Sequence, residues 1–138
     1  MKHTLEHPLK ESIIKDISVA LDGHKEIILA FVFGSFIQSD TFADIDIGVL
    51  TREELNSTLD FELDLETEIE GILHYPVDIR VLNGAPLSFT QNVIRSGRVV
   101  LDRDPNLRAE FAGNILKRYF DFSPFRHRYL KEVRNAPI

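Results

Sequence analysis

The sequence has no cysteine, which excludes disulfides and thiolate metal sites. It has no long apolar run either. None reaches the ~18 residues that a membrane span needs, and the longest candidate, Ile27 to Phe33, is strand-sized. The opening MKHTLEHPLK lacks the apolar stretch of a secretory signal. Together these absences make a cytoplasmic setting the expectation. Positive charge is also scarce: 16 Lys and Arg face 22 Asp and Glu, for a net charge of −6. Affinity for nucleic acid comes largely from neutralising phosphates with basic side chains, so direct nucleic-acid binding is not expected. No internal repeat, low-complexity tract or Pro/Gly-rich linker divides the chain.

What is present suits one soluble domain. Apolar residues make up 43% of the 138, enough for a single core. The charge is unevenly placed. Eight acidic residues and one arginine lie between Arg52 and Glu70, whereas eight Lys/Arg face five Asp/Glu from Asp102 onward. An acidic flank with a mildly basic tail fits a protein partner better than a polyanion.

Leu9 to Leu21 carries apolar residues at helical spacing and is followed by Gly23. Glu26 to Ser35 is rich in β-branched and aromatic residues and reads as a buried strand. Ala43 to Leu50 alternates through its first half and reads as a second strand. Thr51 and Glu54 stand at capping-box spacing, which predicts an acidic helix from there to about Glu70, closed by Gly71. Pro76 to Asn83 is a third strand, Pro86 to Arg95 a short helix stopped by Gly97, and Arg98 to Asp104 a short edge strand. The rest is mostly helical from Leu107 to Val133, with a break expected at Ser123-Pro124. This order implies an α+β (mixed α/β) fold, a small mixed sheet with helices packed on it.

The chemistry concentrates in three acids. Residues i and i+2 of a strand share a face, so Asp44 and Asp46 are expected side by side, roughly 6.6 Å apart along the chain. Ile45, Ile47 and Val49 then point the other way, into the core. Paired carboxylates in an apolar strand repel each other unless a cation or solvent compensates. Mg²⁺ is a fitting cation, being a hard ion that takes carboxylate oxygens and leaves positions for phosphates. Asp78, between Val77 and Ile79, repeats the pattern, and if its strand neighbours the second, three carboxylates converge. Three acids can hold two metals ~3.5–4 Å apart, the clamp used for nucleotidyl displacement. An isolated Asp-x-Asp more commonly marks a solvated strand face. Here, however, strand Ile27–Phe33 runs just upstream into Gly34-Ser35, small residues that let backbone N–H groups and a hydroxyl approach a phosphate.

The run VFGSFIQSDTFADIDIGVL, with VDIRVL supplying the third acid, resembles the polymerase-β-like nucleotidyltransferase superfamily, whose signature is Gly-Ser, about ten residues, then Asp-x-Asp. The short chain looks like the minimal (MNT) branch. That resemblance implies a minimal nucleotidyltransferase domain over residues 1–104, with residues 105–138 a helical extension packed on the same domain. The segments APLSFTQNVIRSGRVVLDRD and RYFDFSPFRHRYLKE are similar to MntA-type antitoxins, which pair with HEPN-domain toxins. By resemblance the activity is transfer of AMP from ATP to a tyrosine of such a toxin, with Mg²⁺ as cofactor. Asp44 and Asp46 are then metal ligands, Asp78 a metal ligand and general base, and Gly34 and Ser35 the triphosphate grip. Two departures stand out. Only eight residues, Phe36 to Ala43, separate Ser35 from Asp44, and Ala43 replaces a frequent serine in a loop that lacks the usual Arg-Gly. They keep a second expectation open, an antitoxin of weak or no activity that neutralises its partner by binding. A third is transfer to a small cationic acceptor of the aminoglycoside type.

Arg80 shares a strand face with Asp78 and is expected to pair with it or to meet phosphate. The five histidines lack ligand spacing and are assigned surface or capping roles. The acidic helix reads as a solvated face. Phe125, Arg126, Arg128 and Tyr129 form a candidate protein-docking patch in the tail.

Overall fold

The computed structural model describes the backbone of residues 2–135 and the side chains of residues 2–121. The chain runs β1 (His3–Thr4), α1 (His7–Asp22), β2 (Ile27–Phe33), α2 (Ser35–Gln38), β3 (Thr41–Phe42), β4 (Ile45–Thr51), α3 (Thr58–Leu73), β5 (Val77–Val81), α4 (Leu87–Ser96), β6 (Arg98–Asp102) and α5 (Pro105–Asn135). The main sheet has the order β5-β4-β2-β6. β2 pairs antiparallel with β4 and β6, while β4 and β5 run parallel, so the sheet is mixed as expected. β1 and β3 form a separate two-stranded ribbon that the sequence reading missed.

The sheet is the middle of three layers. One core packs α1 and α3, through Ile14, Ile17, Leu21, Leu65, Ile69 and Leu73, on the face carrying Ile45, Ile47 and Val49. The other packs α4 and the start of α5, through Val93, Phe89, Leu107 and Phe111, on the face carrying Phe31, Phe33 and Leu50. Covered on both faces, β2 has all seven residues buried, which is why it reads as an unbroken apolar run. Among the described residues no helix is long and apolar enough to cross a membrane.

Two expected boundaries move. Thr51 does not cap a helix: it pairs with Ile27 as the last residue of β4. Its N–H donates to Asn83 Oδ1 and its carbonyl accepts from Asn83 Nδ2, both at 2.9 Å, so an asparagine side chain completes the sheet there. The cap is Ser57, whose hydroxyl accepts from the Asp60 N–H at 3.2 Å. At the other end Gly71 lies inside α3, and His74 closes the helix at a left-handed φ of 63°. Gly71 is exposed and an added Cβ would meet nothing within 4 Å. Gly71→Ala is therefore expected to raise stability by about 0.5–1 kcal/mol in thermal unfolding, because a helical glycine costs chain entropy. The break expected at Ser123-Pro124 is also absent, since α5 is a single helix through that pair. A proline removes one N–H···O bond from a helix, and here it does not end it.

The acidic helix is more than a solvated face. β5 is an edge strand, and its outward N–H groups are each taken by a glutamate of α3. Glu62 Oε2 accepts from Val81 at 2.8 Å, Glu66 Oε1 from Ile79 at 2.9 Å, and Glu70 Oε1 from Val77 at 2.8 Å. Each partly buried N–H left without an acceptor would cost ~1–3 kcal/mol.

Candidate active site

The site forms where β2 ends and β4 and β5 begin, side by side. In the parallel ladder Asp46 of β4 stands directly opposite Asp78 of β5, which places their backbones ~4.8 Å apart on one face. On the other side Asp46 is in register with Phe33, the last residue of β2. The alternation in β4 runs as the sequence suggested, with Ile45, Ile47 and Val49 buried in the opposite core. Asp44 differs slightly: it lies one residue before β4, in the link from β3. It still reaches Asp46 electrostatically. Asp46 is half-buried, and withdrawal from water, then the charges of Asp44 and Asp78, lift its pKa to about 6 against a small opposing pull from Arg80.

Gly34 follows β2 with φ 79° and ψ −158°, a combination open essentially to glycine. An added Cβ would collide with Asp46 Oδ2. The glycine thus brings bare backbone against the carboxylate. Exposed Ser35 begins α2, a single helical turn. First-turn N–H groups of a helix have no intrahelical acceptor, and here that turn opens beside Asp46.

The eight-residue link from Ser35 to Asp44 is firmly held. It contains α2 and β3, and its Phe36 and Phe42 are fully buried at 0% and 1% exposure, stacked edge to face at 4.8 Å. Burying each ring is worth ~1.5–3 kcal/mol. From α1, Lys10 donates to the carbonyls of Phe36 at 2.9 Å and Ser39 at 2.7 Å, with its ammonium over the Phe36 ring at 5.3 Å. Sequence reasoning missed Lys10, because it lies 26 residues from Phe36 in a different element. Lys10→Met is expected to cost ~1–2 kcal/mol of stability. If the Gly34-Ser35 turn grips a nucleotide, the same change raises the KM for ATP more than it lowers kcat, which steady-state kinetics would read.

Arg80 pairs with Asp78, Nε to Oδ1 at 3.3 Å, and is otherwise exposed. The structure therefore brings Asp44, Asp46, Asp78, Gly34 and Ser35 into one neighbourhood. Phe125, Arg126, Arg128 and Tyr129, the candidate docking patch, lie outside the residues whose side chains are described. A like-charge cluster that raises one member's pKa suits a hard cation. Among the described residues no three His, Asp or Glu side chains are placed to hold a metal ion together, so the fit rests on the Asp46–Asp78 pair. An ion here would share its shell with water and phosphate oxygens, as Mg²⁺ commonly does.

Residues 15–106 match the family described as polymerase beta, nucleotidyltransferase. Several solved structures share the fold. A chain in tri-AMPylated Shewanella oneidensis HEPN toxin in complex with MNT antitoxin is 21% identical with a TM-score of 0.71, covering 91% of this chain and 98% of that one. A chain of a toxin–antitoxin complex with AMP-PNP is 24% identical with a TM-score of 0.69, at 91% and 98% coverage. A chain of the MntA–HepT toxin–antitoxin complex is 22% identical with a TM-score of 0.65, at 94% and 99% coverage. No curated protein sequence matches. At these identities the likeness to the solved structures is one of fold.

Proposed function

Because this chain belongs to the polymerase-β nucleotidyltransferase family, we propose that it transfers AMP from ATP to a tyrosine hydroxyl of a HEPN-family toxin and so acts as its antitoxin. The observation that carries the reading is the Asp46–Asp78 pair set across parallel strands, with the Gly34 backbone pressed on the Asp46 carboxylate. The fold neighbours support the reading: one is in complex with a tri-AMPylated HEPN toxin, and another belongs to a toxin–antitoxin structure with AMP-PNP.

The roles follow the strand order. Gly34 and Ser35 take the triphosphate at the end of β2. Asp46 and Asp78, with Asp44 beside them, would hold Mg²⁺, which would neutralise charge on the transferred phosphoryl group. Asp78, on the outer strand, faces the incoming hydroxyl and takes its proton as oxygen bonds to the α-phosphorus and pyrophosphate leaves. A cytoplasmic setting, where ATP and Mg²⁺ are supplied, belongs to the same reading.

Incubation with ATP, Mg²⁺ and the HEPN partner, followed by intact mass of the partner, tests it. Gain of one or more AMP groups is the expected result. Tight binding without any mass gain would overturn transfer in favour of an antitoxin that works by occlusion, the reading that the short link from Ser35 to Asp44 keeps open.

A further inference from the structure

We infer that Glu66 and Glu70 of α3 are positioning residues for Asp78, so that this helix tunes the metal affinity of the site; the inference rests on the transferase reading above. Asp78 sits on an edge strand. The N–H groups of alternate residues in β5 have β4 to bond to, as Leu82 just beyond it does to the Val49 carbonyl at 2.7 Å. The intervening ones, Val77, Ile79 and Val81, point outward, where no strand lies. Two of them flank Asp78, and these are the two that Glu70 and Glu66 accept from.

The match between helix and strand is metrical. Four residues of α-helix advance 6.0 Å, about the same as the roughly 6.6 Å of two strand residues. Glutamates at 62, 66 and 70 therefore meet amides at 81, 79 and 77, with α3 running opposite to β5. The accumulated offset over two steps is about 1.2 Å by the same spacings, within the swing of a glutamate side chain. The glutamates thus take the bonds a fifth strand would, and hold β5 from the side away from β4. Other acids of α3 have different work: Glu68 binds His24 Nε2 at 2.7 Å, and Asp64 is exposed. Groups that orient metal ligands from behind typically change affinity 10–100-fold when removed.

Glu66→Ala is expected to weaken Mg²⁺ binding, read by calorimetry on the whole chain, about tenfold. The kcat of AMP transfer falls by a similar factor with the KM for ATP unchanged, and the Ile79 amide exchanges faster. Glu66→Gln, which keeps an acceptor oxygen, restores all three. Glu62→Ala serves as the comparison: it removes the same kind of bond at Val81, three residues beyond Asp78, so it lowers the thermal midpoint similarly while leaving Mg²⁺ affinity near wild type. If Glu66→Ala does not fold, Glu70→Ala on the other flank of Asp78 carries the same test. Wild-type Mg²⁺ affinity in Glu66→Ala, or an equal loss in Glu62→Ala, overturns the inference, as does a wild-type protein that binds no Mg²⁺. A wild type that binds Mg²⁺ yet transfers no AMP sinks the transferase reading alone, because the ladder is then judged on metal affinity.

Discussion

Asp46→Asn is expected to eliminate AMP transfer while making the metal-free protein more stable at neutral pH. On the proposed reading Asp46 is a metal ligand, and its loss removes several kcal/mol of transition-state stabilisation, about a thousandfold or more in rate at 1.36 kcal/mol per tenfold. The stability effect has the opposite sign. In the folded protein Asp46 titrates at about 6 against an ordinary 3.8, chiefly through withdrawal from water and then the charges of Asp44 and Asp78. A carboxyl whose folded pKa is raised holds its proton better when folded, so ionisation works against folding. The penalty is absent below the unfolded pKa, grows as pH rises between about 4 and 6, and is complete above that. The full shift would correspond to ~3 kcal/mol, but Asp46 keeps contact with water, and ~1 kcal/mol is the realistic share. Denaturation in chelator at pH 7.5 should show the asparagine variant more stable than wild type, and at pH 4 the difference should vanish. Added Mg²⁺ should stabilise wild type and not the variant. A variant less stable than wild type at both pH values would refute the electrostatic account of this strand.

Gly34→Ala is expected to be as damaging to transfer, although no acid is lost. Alanine at φ 79° and ψ −158° costs ~1–3 kcal/mol of backbone strain, and its methyl would occupy the place of Asp46 Oδ2. Either the turn moves or the carboxylate does, and each outcome misplaces a reacting group; a displacement of ~1 Å can cost ~100-fold in rate. The two contributions are separable. In an Asp46→Ala background the collision disappears and only the strain remains, so the stability cost of Gly34→Ala should shrink. An unchanged cost in both backgrounds would show that Gly34 matters through its backbone alone.

Much of this site is legible in the sequence because its signals are local. Asp44, Asp46 and Asp78 announce themselves as acids in apolar strands, and Gly34-Ser35 follows the most apolar run in the chain. The pattern cannot supply features that depend on distant partners. Thr51 and Glu54 have capping-box spacing, yet Thr51 stays in the sheet because Asn83, 32 residues on, bonds both its N–H and its carbonyl. α2 is four residues long, too short for any periodicity to register. The two-stranded ribbon of β1 and β3 joins the ends of a segment spanning nearly forty residues. The glutamates of α3 are an intermediate case. Their spacing at 62, 66 and 70 is visible, but its meaning needs the register of β5.

The double burial of β2 also bears on how the chain comes off the ribosome. α1 and α3 can cover one face of the sheet early, but the other waits for Val93 of α4 and for Leu107 and Phe111 of α5. Until those residues emerge, Phe31 and Phe33 of β2, with Leu50 of β4 beside them, form an uncovered greasy surface, and β2 combines strong β-propensity with no charge, the composition that favours self-association. Synthesis therefore passes through an interval in which the nascent chain is sticky, and any truncation before residue 111 would make that interval permanent.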